Sequence, residues 1–402
     1  MASHEAGPIA CGTSVAVAGG RGMTDAQRLW PRLLRGLGHD LVVLPAIALA
    51  TVLTVLGCAE IGCRAAYPER TGDACAIADP VLGLRFKANC ASRSKAAEGP
   101  WVENVYNDCG SRSATACAPP RDGRPRLAIF GNSISQGYLI PYDDSYGVRL
   151  ARDAAALCHR PVDVQNFARE TYDWRKTSLD LDEALNVNPD LVITTVIPLD
   201  LETDPENNPH GPQAHAESSI LKKISELTTE SRALAIAKSL FYKNGNNFVK
   251  LYLSYGEKAN FLREPMSPFW ERRLVMFDGL LQEIADKARR RGAPVLLAYV
   301  PQQAQALLAA GDGRQPGIAP YALSARIAAL AARHGIYFVD ATPAFAREPN
   351  PTDLYFRVDG HPSPKGQHVI AEVIRSKIAS SPDLRDRFCR APAGPSGRGG
   401  LN

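Results

Sequence analysis

The chain has little net charge, no internal repeat and no spacing of cysteine and histidine that would hold a metal. Its 46 Lys and Arg residues nearly balance its 42 Asp and Glu residues, which leaves a net charge of +4 over 402 residues. No basic stripe and no interleaved aromatic run accompanies this charge, so the sequence lacks the footprint of a nucleic-acid-binding protein. No Cys-x-x-Cys pair occurs among the nine cysteines, which argues against a zinc site.

Charge is also absent from a long apolar run near the N-terminus. Residues 41 to 58 contain no charged side chain, and a run of this length is just sufficient to span a bilayer. Arg28, Arg32 and Arg35 precede the run, whereas the residues after it are mixed in charge, so the positive-inside rule predicts a cytoplasmic N-terminus. We therefore expect a single-pass protein of the inner (cytoplasmic) membrane whose larger part is periplasmic or extracellular.

Two alternatives for this run remain open. An apolar segment of this length is also compatible with a buried core helix. Val55-Leu-Gly-Cys58 resembles a loose lipoprotein box, which would be at a normal depth if translation began at Met23. The chain would then be anchored as a lipoprotein at Cys58, and the part beyond it would still be exported.

Cysteine usage agrees with export. Beyond the apolar run the chain has six cysteines, and an even number in an oxidising compartment suggests disulfides with fifteen possible pairings. Unpaired buried thiols are the alternative interpretation. The six are Cys75, Cys90, Cys109, Cys117, Cys158 and Cys389.

The composition, with 45% hydrophobic and 22% charged residues, is that of a globular protein with one large core. We predict four regions along the chain. They are a cytoplasmic tail at 1–37, a transmembrane helix or signal anchor at 38–62, one folded domain at 63–390 and a disordered tail at 391–402.

Short apolar runs alternate with amphipathic helical patterns through the folded region. Strands are predicted at 127–130, 162–166, 191–197, 294–300 and 336–340, and helices at 146–157, 269–291, 321–334 and 365–378. This alternation predicts an α/β fold, in which helices cover both faces of a parallel sheet and ligands bind at the carboxyl ends of its strands. A helical insertion is expected at about 205–265, either capping the site or adding a packing layer.

One strand end carries a candidate nucleophile. The run Arg126-Leu-Ala-Ile-Phe breaks at Gly131 and is followed by Asn132 and Ser133, at what reads as the start of a helix. Glycine permits a tight exit from a strand. A serine at a helix start benefits from the exposed N–H groups there, which stabilise negative charge.

A serine hydroxyl needs a base, and the chain offers one suitable pair, Asp359 and His361. They lie in Asp-Gly-His, in a loop after the last predicted strand and just before the last predicted helix. An imidazole held by a carboxylate is the usual base for a serine nucleophile. His361 alone among the eight histidines has this setting.

Gly-Asn-Ser early in the chain and Asp-x-His late in it, each beside a helix start, resemble the SGNH (GDSL-type) hydrolase superfamily. Asn132 replaces the aspartate of the family's first block. The family's final block is usually Asp-x-x-His, and the shorter Asp-x-His of this chain resembles that of the exported polysaccharide-acetylation branch. The resemblance spans about residues 79–380, of which Asp79–Arg112 is similar to the lead-in of exported members.

The resemblance implies a flavodoxin-like three-layer sandwich with a roughly five-stranded parallel sheet, together with a catalytic triad of Ser133, His361 and Asp359. It also implies oxyanion donors at the backbone N–H groups of Ser133 and Ala168. The third block, however, is degenerate because Leu199 stands where the family has asparagine, and leucine cannot donate a hydrogen bond.

Two nearby side chains are candidates for the missing donor. Asn132 is adjacent to the nucleophile, and Arg169 follows Ala168. Asp200 would repel an oxyanion if it were ionised, so we expect it to have a structural role.

The resulting prediction is an exported serine esterase that hydrolyses short-chain esters by a Ser-His-Asp triad, with carbohydrate O-acyl esters among the candidate substrates. One alternative is an O-acyltransferase acting on an envelope polysaccharide. Another is a catalytically weak glycan-binding or scaffold protein, which Leu199 motivates. The expected partners are an ester or O-acylated glycan and the membrane, with no nucleic acid, and no metal or organic cofactor is implied.

Overall fold

A computed structural model describes residues 25–66, 71–96, 98–119, 122–170, 174–202, 231–311 and 316–390. The chain divides into two compact units, Met1–Gly62 and Cys63–Asn402. The tails predicted to be disordered or cytoplasmic lie largely outside the described residues, and the predicted limits of the four regions stay predictions.

The first helix, α1 (Asp25–Ala66), contains the apolar run. Its segment Leu41–Ala65 is long and apolar enough to cross a membrane, and none of that segment is buried. The prediction of an N-terminal apolar helix is therefore confirmed, whereas a buried core helix does not fit the exposed side chains. Leu41, Ile47 and Val52 are each more than half exposed. Such an exposed apolar surface is typical of a helix that contacts lipid or another apolar partner.

Two antiparallel hairpins follow α1. Strand β1 (Ala76–Asp79) pairs with β2 (Gly83–Phe86), and β3 (Cys90–Ser94) pairs with β4 (Val102–Tyr106). The rings of Phe86 and Tyr106 stack with centroids 4.3 Å apart, and a disulfide joins Cys75 to Cys90. The sequence predicted only a lead-in here, because such short strands have too few residues for a clear alternation of apolar and polar positions.

The large sheet has five parallel strands, in the order β6-β5-β7-β8-β9. This is the order of a flavodoxin-like sheet, and the predicted fold is confirmed. Ser133 lies beyond the end of β5, next to the point at which the strand order reverses. The strands are β5 (Arg126–Ile129), β6 (Asp163–Asn166), β7 (Leu191–Val196), β8 (Val295–Tyr299) and β9 (Tyr337–Asp340).

Helices cover both faces of this sheet. They are α2 (Ser133–Gln136), α3 (Tyr146–Cys158), α4 (Trp174–Asn186), α5 (Pro198–Glu202), α6 (Arg232–Tyr242), α7 (Gly245–Leu253), α8 (Pro268–Arg290), α9 (Gln303–Ala310), α10 (Ala322–Arg333), α11 (Thr342–Arg347), α12 (Pro364–Ser380) and α13 (Pro382–Phe388). Short 3-10 turns are formed by Tyr142–Asp144, Gly256–Leu262 and Pro351–Leu354.

Alternate residues of β5 enter two separate cores. Leu127 and Ile129 pack on the face covered by α3 and α12, whereas Ala128 packs on the face covered by α4, α8 and α10. All three of these strand residues are fully buried. A strand buried on both faces explains why the sequence shows a continuous apolar run there.

Only the second half of the predicted helical insertion lies in the described part of the chain. Residues 203–230 lie outside it, and the described remainder contains α6 and α7. Helix α7 packs closely against α9, since a Cβ at Gly245 would lie 3.0 Å from the Leu307 side chain. This contact favours the packing-layer interpretation for the described half.

The six cysteines beyond the apolar run form three disulfides, Cys75–Cys90, Cys109–Cys117 and Cys158–Cys389. The prediction that they pair is confirmed, and the structure selects one of the fifteen pairings. Cys158–Cys389 links the end of α3 to the residue after α13, across 231 positions of sequence. It therefore holds the C-terminal helices to the sheet. Cys58 and Cys63 are free.

Replacing Cys158 and Cys389 together by serine should lower the free energy of unfolding. In the chain-entropy account, a cross-link that closes so long a loop contributes on the order of 5 kcal/mol. The urea midpoint of the full chain in detergent, followed by tryptophan fluorescence, measures this loss. Cys58→Ser is the matched control and should leave the midpoint unchanged, while an equal midpoint in the double variant would contradict the prediction.

Candidate active site

The turn after β5 requires glycine at position 131. Gly131 has a φ of +118°, and a Cβ there would lie 2.3 Å from Oγ1 of Thr194 on the neighbouring strand β7. No other residue fits so close an approach in this conformation. The glycine thus turns the chain directly from the strand into α2 and places Ser133, which is 2% exposed, at the helix start.

Asn132 caps α2, and both the oxygen and the nitrogen of its side-chain amide form hydrogen bonds. Its Oδ1 accepts hydrogen bonds from the backbone N–H groups of Ile134 and Ser135, both at 3.1 Å. Its Nδ2 donates to Oδ2 of Asp200 at 2.7 Å. Asparagine is a favoured N-cap because it satisfies the free N–H groups of a first turn. The side chain of Asn132 is therefore engaged in the turn, and its role as a substitute oxyanion donor stays a prediction.

Asp200 has the structural position that was expected of it. Besides Asn132, its Oδ2 accepts the backbone N–H of Ile197 at 2.9 Å. The carboxylate thus joins the turn after β5 to the turn after β7. Because these turns leave adjacent parallel strands, this pair of bonds fixes their relative position at the edge where ligands bind.

The structure brings Ser133, His361 and Asp359 together. Nε2 of His361 lies 2.7 Å from Oγ of Ser133, and Nδ1 of the same ring lies 2.5 Å from Oδ1 of Asp359. The side chain of His361 is 15% exposed and that of Asp359 is 28% exposed. The imidazole thus bridges a buried hydroxyl and a partly exposed carboxylate, in the arrangement by which serine nucleophiles are activated.

The loop that carries Asp359 and His361 is a tight turn. The backbone N–H of Phe356 donates to the carbonyl of His361 at 2.9 Å, and that of Gly360 donates to the carbonyl of Phe356 at 2.7 Å. Gly360 has a φ of +87°, which glycine adopts without strain. The ring of Tyr138 lies against the His361 ring, with centroids 5.0 Å apart.

Of the predicted oxyanion donors, the backbone N–H of Ser133 is the one left available. It makes no hydrogen bond to any residue in the described ranges. The N–H of Ala168 donates to Oδ1 of Asn166 at 3.0 Å, and the guanidinium of Arg169 bonds Asp180 and Glu183 of α4. Leu199 packs partly buried against the core. In this structure the Ala168 N–H and the Arg169 guanidinium, which were predicted to stabilise an oxyanion, therefore already have hydrogen-bond partners.

Sequence reasoning missed two residues outside the α/β core that hold the loops of the candidate triad. The Arg112 guanidinium, which is 3% exposed, donates to the backbone carbonyls of Gln136, Gly137 and Ile140 just after α2. Burial lowers the pKa of Arg112, and the charge of Asp73 opposes that change. Arg112 is not part of a recognised motif, so the sequence gives no indication of what its side chain contacts. The contact becomes visible only in the folded structure.

Glu98, between β3 and β4, is the second such residue. Its Oε2 accepts the backbone N–H groups of Val358 and Asp359 at 2.7 and 2.8 Å. A carboxylate that receives two N–H groups forms strong, charge-assisted hydrogen bonds. Beside it, a Cβ at Gly99 would lie 3.0 Å from the Phe356 ring, so the hairpin loop packs directly on the Asp-Gly-His loop.

The carboxyl group of Glu170 is within electrostatic range of the same imidazole. Its surface is accessible to solvent, yet the protein atoms crowded around it raise its pKa. The charge of His361 opposes this rise, and the charges of Asp73 and Asp359 add to it. The sequence offered no reason to single out Glu170.

Residues 272–391 match the family model described as the SGNH hydrolase-like domain of acetyltransferase AlgX. The matched part includes Asp359 and His361 and begins after Ser133. It confirms the resemblance to SGNH hydrolases that the sequence motifs predicted. No curated relative matches the chain.

Several solved structures are similar at low identity. TesA is 16% identical, with 63% of this chain and 97% of TesA covered and a TM-score of 0.35. A lipase/acylhydrolase from Enterococcus faecalis is 15% identical, with 63% and 95% covered and a TM-score of 0.36. Esterase EstA from Pseudoalteromonas sp. is 10% identical, with 64% and 97% covered and a TM-score of 0.35. At these scores the likenesses carry no argument about chemistry.

Replacing Glu98 by alanine should lower kcat about tenfold or more with little change in KM. The loop that carries Asp359 would lose the acceptor of two of its N–H groups, and catalysis is sensitive to small displacements of the reacting groups. Initial rates on an aryl ester measure this. Glu98→Gln, which keeps one carbonyl acceptor, should retain more activity.

The matched control is Glu103→Ala, since Glu103 lies on the same hairpin with its side chain 76% exposed. It should behave as the unaltered chain. Equal losses in the Glu98 and Glu103 variants, or a Glu98→Ala loss that follows only a lower melting temperature, would contradict the positioning role.

Proposed function

We propose that this protein is an exported serine esterase of the SGNH type, in which Ser133 is the nucleophile, His361 the general base and acid, and Asp359 the residue that orients the imidazole. The observation that carries the proposal is the bridging position of His361, 2.7 Å from Oγ of Ser133 and 2.5 Å from Oδ1 of Asp359. The SGNH hydrolase-like match supports ester or acyl-transfer chemistry.

The first half of the reaction forms an acyl-enzyme. Nε2 of His361 takes the proton of the Ser133 hydroxyl while Oγ attacks the ester carbonyl carbon. The carbonyl oxygen becomes an oxyanion, next to the free N–H of Ser133. The tetrahedral intermediate then collapses, the bond to the alcohol oxygen breaks, and the alcohol leaves with the proton from His361.

The second half releases the acyl group. A water molecule gives its proton to Nε2 of His361 and attacks the acyl carbon, and Ser133 recovers its proton as the carboxylic acid departs. Throughout, the Asp359 carboxylate accepts a hydrogen bond from Nδ1–H, which selects the productive tautomer and stabilises the imidazolium.

An O-acyltransferase is the second candidate. The matching family model is described as a domain of an acetyltransferase. The Asp-x-His spacing of Asp359 and His361 is also similar to that of the polysaccharide-acetylation branch. In that case a polysaccharide hydroxyl replaces water in the second half, and the acyl group passes from Ser133 to the sugar oxygen. Added glycan that receives acyl groups in preference to their release as acid would favour this candidate.

A catalytically weak glycan-binding or scaffold protein is the third candidate. Leu199 supports it, because the loss of one oxyanion donor costs on the order of 10² to 10³ in turnover. The intact contacts of His361 weigh against it, since a protein with no catalytic role needs no imidazole between Ser133 and Asp359.

We also propose that α1 anchors the protein in the inner membrane with the N-terminus in the cytoplasm and the enzyme domain in the periplasm or outside the cell. The exposed apolar segment Leu41–Ala65 and the three disulfides support this arrangement, since disulfides persist in oxidising compartments. Lipid attachment at Cys58 is the alternative anchor, and Cys58→Ser would abolish it.

A fluorophosphonate probe should label Ser133, because the imidazole activates its hydroxyl for attack on phosphorus as well as on carbon. Peptide mapping of the labelled full chain identifies the site. Ser133→Ala should abolish both labelling and ester turnover with the melting temperature retained, and Asp359→Asn should lower kcat by on the order of 10⁴. Ser380→Ala, at an exposed serine, is the control. Label on another residue would refute the assignment.

Leu199→Asn should raise kcat about tenfold or more if a missing donor limits the reaction, since one oxyanion donor contributes roughly 10² to 10³. Leu199→Ala is the matched control because it removes the apolar side chain without adding an N–H group. Aryl-ester kinetics of the two variants make the comparison, and an unchanged rate in Leu199→Asn would mean that the oxyanion is stabilised by other groups.

A further inference from the structure

The chain between Ser133 and Ile140 is held by hydrogen bonds from within and from outside. The backbone N–H of Tyr138 donates to the carbonyl of Ser133 at 2.9 Å, which ties the two residues across α2. The guanidinium of Arg112, which is 3% exposed, donates to the carbonyls of Gly137 and Ile140. These carbonyls lie on either side of Tyr138 in sequence, so its backbone has a fixed position relative to the nucleophile.

Leu139 has a left-handed backbone conformation, with a φ of +64°. This conformation is uncommon for residues other than glycine, because the side chain then crowds the backbone. The Leu139 side chain is 4% exposed, so packing holds the residue in place. Strained backbone of this kind persists where the surrounding structure over-determines it, and it is concentrated at functional sites. The strained turn lies directly after Tyr138 and fixes the direction in which the chain leaves that residue.

The half-buried ring of Tyr138 packs against the imidazole of His361. The two ring centroids lie 5.0 Å apart, and the ring planes are inclined by 59°. Aromatic rings at this separation attract each other beyond the effect of the area that they bury. An aromatic ring also attracts a cation within about 6 Å of its centroid, so the contact strengthens when His361 takes the proton of Ser133. The ring of Tyr138 is thus in contact with the base both before and during proton transfer.

The imidazole of His361 needs such a contact, because its two hydrogen bonds do not fix it completely. Nε2 lies 2.7 Å from Oγ of Ser133, and Nδ1 lies 2.5 Å from Oδ1 of Asp359. Both partners lie at the edge of the ring, so neither opposes movement of the ring perpendicular to its plane. Such movement bends both hydrogen bonds, which weaken steeply as they bend. A second ring packed against the imidazole opposes this movement.

We propose that Tyr138 is a positioning residue for the general base, and that its ring keeps the imidazole of His361 between its two hydrogen-bond partners. The inference deepens the proposed function and rests on it, since Tyr138 acts through His361 and not on the substrate. Because the backbone of Tyr138 is bonded to the carbonyl of Ser133, the turn that carries the nucleophile also sets the position of its base. The strained turn at Leu139 maintains this arrangement.

The kinetic test compares Tyr138→Leu, which removes the ring but keeps an apolar side chain, with Tyr138→Phe, which keeps the ring. On p-nitrophenyl acetate, Tyr138→Leu of the full chain should lower kcat about tenfold or more with little change in KM, because a displaced base slows the chemical step more than it weakens binding. Tyr138→Phe should stay within about twofold of the unaltered chain. Equal losses in the two variants would assign the effect to the hydroxyl group and overturn the proposal.

Tyr321→Leu is the matched control, because it makes the same exchange at a ring that is 41% exposed, just before α10. It should have the kcat and KM of the unaltered chain. The melting temperature of each variant is measured as well, and rates are compared at a temperature where all of them are folded. A kcat for Tyr138→Leu equal to that for Tyr321→Leu would overturn the proposal.

Proton NMR of the full chain in detergent tests the position of the imidazole without turnover. The Nδ1 proton that His361 donates to Asp359 should give a far-downfield resonance, which His361→Asn removes and thereby assigns. In Tyr138→Leu this resonance should broaden or vanish, because the imidazole is no longer held in line with the carboxylate. In Tyr138→Phe it should be retained.

The two measurements separate this inference from the proposed reaction. Loss of the resonance in Tyr138→Leu with its retention in Tyr138→Phe would support the positioning role even if Ser133 proves not to be labelled by fluorophosphonate. A resonance that is unchanged in Tyr138→Leu would overturn the positioning role even if Ser133 is an active nucleophile.

Discussion

The candidate site depends on a hydrogen-bonding contact between residues 228 positions apart. Ser133 and His361 meet only if two turns that are distant in sequence lie at the same edge of the sheet. The parallel strands place both turns at that edge, and α12 aligns the turn that carries His361 with the turn that carries Ser133. Gln367, in the first turns of α12, accepts the N–H of Tyr146 at 2.9 Å through its side-chain oxygen. Its amide nitrogen lies 3.4 Å from the carbonyl of Ile134 in α2. One side chain thus connects the helix after His361 to the helix that begins at Ser133.

The hairpins that precede the sheet take part in the same alignment. Arg112 holds the carbonyls at the end of the nucleophile turn, and Glu98 holds the N–H groups of the turn that carries Asp359. Each contact satisfies backbone groups that the α/β core leaves unpaired at its loops, where unmet polar groups would be costly. The lead-in therefore helps to hold both turns of the candidate site in position.

The parts of this protein that were predictable from sequence are those with local signals. The strand runs and the Gly131 turn could be predicted because periodicity and glycine geometry depend on neighbours in the chain. The two-residue spacing of Asp359 and His361 is a local signal too, and the structure brings this pair to Ser133. The disulfide pairing, the engagement of Asn132 by Asp200 and the use of the Ala168 N–H by Asn166 depend on residues that approach through folding. Arg112, Glu98 and Glu170 belong to the same group, since nothing adjacent to them in sequence indicates what they contact.

A missing oxyanion donor at Leu199 would not by itself decide between hydrolysis and transfer. The oxyanion forms in both halves of the reaction, so a missing donor slows acylation, hydrolysis and transfer together. The choice between water and sugar depends instead on which molecule occupies the place beside His361 when the acyl-enzyme exists.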